Sequence, residues 1–262
     1  MDDTSITYTK DNIKNNKGRI PLVKNNIMTT ILHRSDSRGA ANHGWLKSNH
    51  TFSFANYQNT ERMNFGMLRV LNDDVVQPKM GFGKHPHKNM EIISLPISGA
   101  LSHEDSMGNK RSIEVGEVQV MSAGTGLTHS EFNDSSTEEV HFLQLWIFPE
   151  TENISPNYDQ KMFSVIGRKN KFQTLVSPHN QKVEGSLPIH QQAFISIIDL
   201  DEKFETVYEL KNGAYFFVIE GNVSVADEKL ERRDAIGIIE TNRVTVIANK
   251  KSKLLVIDVP MS

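Results

Sequence analysis

Residues 92–105 read IISLPISGALSHED and residues 113–124 read IEVGEVQVMSAG. An apolar strand runs into Gly99, a segment turns back from it, and an acidic-glycine corner at 114–116 opens the next strand. Residues 215–227, YFFVIEGNVSVAD, and 230–240, LERRDAIGIIE, repeat that outline around Gly221 and an acidic corner at Asp234. The echo implies an internal duplication. Short apolar or alternating segments continue on both sides, as in FGMLRVL (65–71), VHFLQLWIFP (140–149), FISIIDL (194–200) and KLLVIDVP (253–260), each bounded by turn-forming residues. Helical periodicity with proper caps is missing, so helices are expected to be few and short. Evenly spaced short strands favour sheets closed as barrels or jelly rolls, because closure removes edges that invite aggregation. The fold class is therefore all-β, built from two β-barrel domains.

A chain of 262 residues is long enough for two domains with separate cores. Residues 1–27, rich in Asn, Lys, Thr and Asp, read as a polar N-terminal extension. The first domain is placed at 28–155 and the second at 156–262, with the turn-rich stretch 150–188 as the connection between them. A net charge of −3 gives no reason to expect a polyanion partner. The basic runs Arg168, Lys169, Lys171 and Lys250, Lys251, Lys253 read as solvated turns, and direct nucleic-acid binding is not expected. Nowhere do about 18 apolar residues run together, and the first residues lack an apolar secretory stretch, so a cytoplasmic protein away from membranes is expected.

The chain has no cysteine, so any metal must be held by nitrogen and oxygen. GFGKHPHKNMEI (81–92) separates His85 and His87 by one residue, which on a strand sends both imidazoles to one face. GTGLTHSEFN (124–133) repeats the spacing with His129 and Glu131, behind glycines that let the backbone bend. If the two strands are neighbours, three neutral imidazoles and a carboxylate meet. An octahedral divalent ion there keeps positions open for substrate or dioxygen. Glu91 lies at an even offset from His87, so a regular strand aims it into the same cavity as a rival to Glu131 for the carboxylate ligand, or as a supporting group or alternative base.

His103 and Glu104 read as turn or surface residues of a hairpin, and His33, His43 and His50 as structural groups on the approach to the first barrel, with His43 near the pocket mouth. His141 reads as a satisfied core or surface group, and Met80, Met90 and Met121 as core filler. Phe52, Phe54 and Phe82 are candidates to wall a flat aromatic substrate.

HPHKNMEI (85–92), SHEDSMGN (102–109), MSAGTGLTHSEFN (121–133) and, upstream, GAANHGWLKSNHTFSFANY (39–57) together resemble the pirin branch of the bicupins. The likeness is to its bacterial pirin-like quercetin 2,3-dioxygenases, covers roughly 35 to 165, and becomes one of pattern beyond 190. It implies two cupin barrels with the metal only in the first. His85, His87 and His129 fall on the family's iron ligands and Glu131 on its carboxylate. The implied cofactor is Fe(II), although manganese, nickel, cobalt, copper and zinc accept the same donors. The implied reaction opens a flavonol such as quercetin with O2 and releases carbon monoxide, Glu131 taking the enolic proton. The second implied role is that of an iron-dependent redox sensor acting through protein partners, as described for eukaryotic pirins.

Overall fold

The computed structural model describes residues 28–262, so the proposed 1–27 extension lies outside the described residues. Strands dominate. The chain opens with β1 (Thr29–His33), β2 (Gly39–Asn42), β3 (Leu46–His50) and β4 (Leu68–Val76). Then follow β5 (Gly81–His87), β6 (Glu91–Ser98), β7 (Ala100–Asp105), β8 (Lys110–Glu114), β9 (Glu117–Ser122), β10 (Leu127–Phe132) and β11 (Val140–Ile147). β12 (Asn157–Met162), β13 (Gln173–Pro178), β14 (Leu187–Ile189) and β15 (Phe194–Leu200) lead into the second half. That half continues with β16 (Glu205–Glu209), β17 (Gly213–Glu220), β18 (Asn222–Val225) and β19 (Glu228–Glu231). It ends with β20 (Ala235–Ile239), β21 (Arg243–Ala248) and β22 (Ser252–Val259). Among the described residues the helical content is two short 3-10 turns, Ser35–Ser37 and Val165–Arg168. None of these is long and apolar enough to cross a membrane.

Each half is a seven-stranded sheet facing a four-stranded one, so the expected barrels are jelly-roll sandwiches rather than continuous closed rings. The first pairs β12-β9-β6-β11-β4-β3-β2 with β5-β10-β7-β8, and the second pairs β1-β20-β17-β22-β15-β13-β14 with β16-β21-β18-β19. The two orders match strand for strand through β9-β6-β11-β4 and β20-β17-β22-β15, which is the architecture of a duplicated unit. The sequence cut at 155/156 is crossed twice. β1 pairs with β20 in the second sandwich, in the place that β12, from the turn-rich stretch, takes beside β9 in the first.

Alternation along the central strands explains their nearly continuous apolar sequences, because both faces are covered. Leu143, Leu145 and Ile147 of β11 and Tyr215, Phe217 and Ile219 of β17 belong to one core shared by the two seven-stranded sheets. The intervening residues point the other way. In the second sandwich they are Ala214, Phe216 and Val218, which join Tyr208, Val244 and Val246 in a packed apolar interior. In the first they are Phe142, Gln144 and Trp146, and that interior contains polar groups and a cavity.

Three side chains stand differently from their sequence-based expectation. Arg168 is not a solvated turn residue: its guanidinium Nε donates to Asp199 at 2.7 Å and only 9% of the residue is exposed. Met80 is exposed rather than core filler. Phe52 is packed in the shared core with Tyr215 and lines no pocket wall. His33 is structural as expected, its Nδ1 2.7 Å from the Tyr215 hydroxyl.

Candidate metal centre

The two histidine-bearing strands are neighbours. β5 and β10 pair antiparallel with His85 opposite His129 and Leu127 opposite His87, and the register shifts between His129 and Glu131 where β5 carries an extra residue. The strands approach so closely that a Cβ on Gly81 would lie 2.2 Å from the Glu131 carbonyl oxygen, which explains a glycine at that position. Gly124, ahead of β10, takes φ +46° and lies against the Ile154 carbonyl, so the bend read from the sequence is present.

The imidazoles of His85, His87 and His129 converge, with one nitrogen of each within 4.8 Å of the others. His85 Nδ1 donates to the Gly83 carbonyl at 2.8 Å, which leaves the lone pair on Nε2. His129 is 1% exposed and its Nε2 has no hydrogen-bond partner. A buried imidazole nitrogen of this kind costs stability unless something fills its lone pair, and a divalent cation does so. Burial, reinforced by the neighbouring His85 charge, pulls the His87 pKa down to about 4. Burial and then the charges of His85, His87 and His103 pull His129 lower still. Both rings are therefore neutral at physiological pH, the form that binds metal. A nitrogen-rich divalent site fits these residues.

Glu131 is 2% exposed and lines the same cavity, but its carboxylate groups with His129 and His103 rather than with all three convergent imidazoles. Gln144 Nε2 donates to Glu131 Oε2 at 2.8 Å and the Ser94 hydroxyl to Oε1 at 3.4 Å. Burial pushes this carboxyl up, against the opposing pull of Gln144 and the nearby histidines. Glu91 is elsewhere. The chain turns at Asn89, with φ +49°, between β5 and β6, and this breaks the even offset from His87. The Glu91 side chain lies on the other face, accepting from the Ser122 hydroxyl at 2.7 Å and 3.9 Å from His190 Nδ1.

His103 corrects the surface assignment most sharply. It is 1% exposed on β7, which pairs directly with β10, and stands opposite Glu131. The signal was in the sequence, since Leu101, His103 and Asp105 alternate inward along ALSHED while Glu104 faces solvent beside Lys110. His141, partly buried, is satisfied as expected, donating to Asp73 at 2.6 Å.

The cavity beside the imidazoles has a volume of about 630 Å³. Aromatic rings wall it: Phe54 meets Trp146 edge-on at 5.3 Å, Trp45 meets Phe82 at 5.3 Å, and Trp146 lies 4.9 Å from His87. His43 lines it as expected, and His50 does so too. A polar row runs across the sheet in register, from His50 on β3 through Asn72 on β4, Gln144 on β11 and Ser94 on β6 to Gln119 on β9, and its first three members line the cavity. His50 Nδ1 and Asn72 Oδ1 in this row are buried without protein partners.

The strands of the second sandwich that correspond to β5 and β10 are β16 and β21. They carry no histidine, and Tyr208, Val244 and Val246 fill the space where ligands would stand.

The chain is similar to known proteins over most of its length. The Pirin family matches residues 32–147, and the Quercetinase C-terminal cupin domain matches residues 174–259. Quercetin 2,3-dioxygenase from Escherichia coli strain K12 is 42% identical over 231 residues, which is 87% of this chain and 98% of that protein. The crystal structure of YhhW from Escherichia coli superposes with a TM-score of 0.85 at 40% identity, covering 89% of this chain and 99% of that one. The bacterial pirin YhhW in complex with nickel(II) gives 0.84 at 40% identity, covering 89% and 100%. With one sandwich holding the histidine cluster, its duplicate filled by apolar side chains, and similarity running through both, the chain belongs to the pirin family.

Proposed function

We propose that the protein is a metal-dependent dioxygenase that opens a flavonol such as quercetin with O2 and releases carbon monoxide. The observation that carries this reading is the convergence of the His85, His87 and His129 imidazoles, with the buried Glu131 carboxylate nearby, at one side of an aromatic-walled cavity. The name of the Escherichia coli relative, quercetin 2,3-dioxygenase, supports it. His85, His87 and His129 would hold the cation with Glu131 beside it, and Fe(II) is the ion we assign. When bound, the ion supplies Lewis acidity that lowers the pKa of an enolic hydroxyl.

The protein's own groups do the remaining work. Glu131, whose proton affinity is raised by burial, accepts the enolic proton at its carboxylate. Gln144 keeps that carboxylate in place, and Trp146 Nε1 holds Gln144 by donating to its Oε1 at 3.2 Å. The Phe54, Phe82 and Trp146 rings stack on a flat substrate and exclude water, which strengthens every electrostatic contact inside. His50 Nδ1 and Asn72 Oδ1, unpartnered in the protein, offer hydrogen bonds to phenolic hydroxyls.

Incubation of iron-loaded protein with quercetin under oxygen tests the reading. The expected result is substrate loss with carbon monoxide released, abolished in His85→Ala. Loss no faster than in that variant refutes it.

A further inference from the structure

Asp105, His103 and His129 stand in a file that ends at the imidazole cluster. Asp105 Oδ1 accepts the backbone N–H groups of Met107 at 2.9 Å and Asn109 at 3.0 Å, and Oδ2 accepts Asn109 Nδ2 at 2.8 Å. Such a carboxylate is an acceptor only, so His103 Nε2, 3.2 Å from Oδ2, carries a proton and donates it. In the tautomer that carries only that proton the lone pair is on His103 Nδ1, which lies 3.4 Å from His129 Nδ1. That contact is a hydrogen bond only if His129 is protonated at Nδ1, and this leaves the lone pair on the buried, unpartnered Nε2. Tyr158, from β12, covers the His103 ring with centroids 4.9 Å apart and planes inclined by 36°.

We propose that His103, anchored by Asp105, is a positioning residue that fixes the tautomer and ring plane of His129. The inference rests on reading His129 as a metal ligand. His103 does cluster with His129 and Glu131 closely enough to be taken for a ligand itself. Both of its ring nitrogens are already engaged, one with Asp105 and one with His129, so it has no lone pair to give. A ligating imidazole held through its second nitrogen is pre-oriented and more basic, and removing such support typically weakens metal binding about 10–100-fold.

Nitrogen-15 histidine spectra of the full-length protein loaded with diamagnetic zinc(II) read the tautomers directly. The expected pattern is a proton on His129 Nδ1 with Nε2 ligated, and a proton on His103 Nε2 with Nδ1 bare. A proton on His103 Nδ1 overturns the proposal. Chelator competition with nickel(II) gives a second readout: His103→Leu should bind about 10–100-fold more weakly. His103→Gln, whose amide can accept from His129 and donate to Asp105, should recover most of that loss. If His85→Ala loses nickel while His103→Leu keeps wild-type affinity, the positioning role is wrong and the metal centre stands. If His129→Ala keeps wild-type affinity, both fall together. Should His103→Leu not fold, the spectra of the unmutated protein still decide.

Discussion

Gln144 Nε2 donates to Glu131 Oε2 at 2.8 Å, and this is the shortest contact the buried carboxylate makes with a side-chain donor. Without it, only the Ser94 hydroxyl at 3.4 Å remains to hold the carboxylate. Gln144→Leu is therefore expected to lower kcat on quercetin by roughly 10-fold or more with little change in KM, because the lost bond positions a base rather than substrate. Steady-state kinetics check this. An unchanged kcat would mean that Glu131 needs no such support.

A second prediction concerns the junction of the two sandwiches. Asp73 of β4 accepts from Arg38 at 3.1 Å, from Arg233 of the second sandwich at 3.1 Å and from His141 at 2.6 Å. Burial alone raises this carboxyl, but the His141 hydrogen bond and then the Arg233 and Arg38 charges overcome it and hold the pKa at about 2, against an ordinary 3.8. A group depressed on folding stabilises the protein above its unfolded pKa, and the benefit is lost as pH falls through the folded one. Stability of about 2 kcal/mol should thus disappear between about pH 4 and pH 2. Asp73→Asn should lower the melting temperature at neutral pH and flatten its decline over that window. Parallel pH–stability curves for the two proteins would contradict this.

The fold was legible in the sequence because the duplicated strand–glycine–strand outline survives in side chains that must be buried. β6 to β9 and β17 to β20 occupy equivalent places in their sheets, as the echo implied. Sheet membership at the edges was not legible. β1 and β12 exchange sides through backbone pairing, which leaves no pattern in side-chain polarity. Alternation put His85 and His87 on one face, since they lie on a regular stretch of strand, and the pairing of β5 with β10 brings His129 to them. Glu91 could not be placed, because the three-residue turn 88–90, with Asn89 at φ +49°, interrupts the strand along which an even offset would keep one face. His103 was missed because its hairpin neighbours Glu104 and Lys110 are exposed, while its own position alternates inward with Leu101.

The floor of the cavity should determine which substrates are read. Asn72 Oδ1 is buried and unpartnered, so Asn72→Leu removes an acceptor aimed at no protein group. KM for quercetin is expected to rise roughly 5- to 10-fold, the value of about one hydrogen bond. KM for a flavonol lacking ring hydroxyls should hardly move. An equal change for both substrates would show that the residue shapes the cavity without reading hydroxyls.

Metal removal should be visible in stability as well as in activity. Only the folded chain brings the three imidazoles together, so a free ion at about 100 times its Kd adds about 2.7 kcal/mol. At roughly 2–4 °C per kcal/mol for a chain of this size, that corresponds to a fall of roughly 5–11 °C in Tm on chelation, read by differential scanning calorimetry. Identical transitions with and without chelator would argue against a site formed by folding.

The most direct test of the metal centre is anomalous diffraction from crystals of the nickel(II)-loaded protein. The account predicts one strong peak about 2.0–2.2 Å from an imidazole nitrogen of each of His85, His87 and His129, with no peak in the second sandwich. A peak bound by other residues, or none at this cluster at full nickel occupancy, would contradict it.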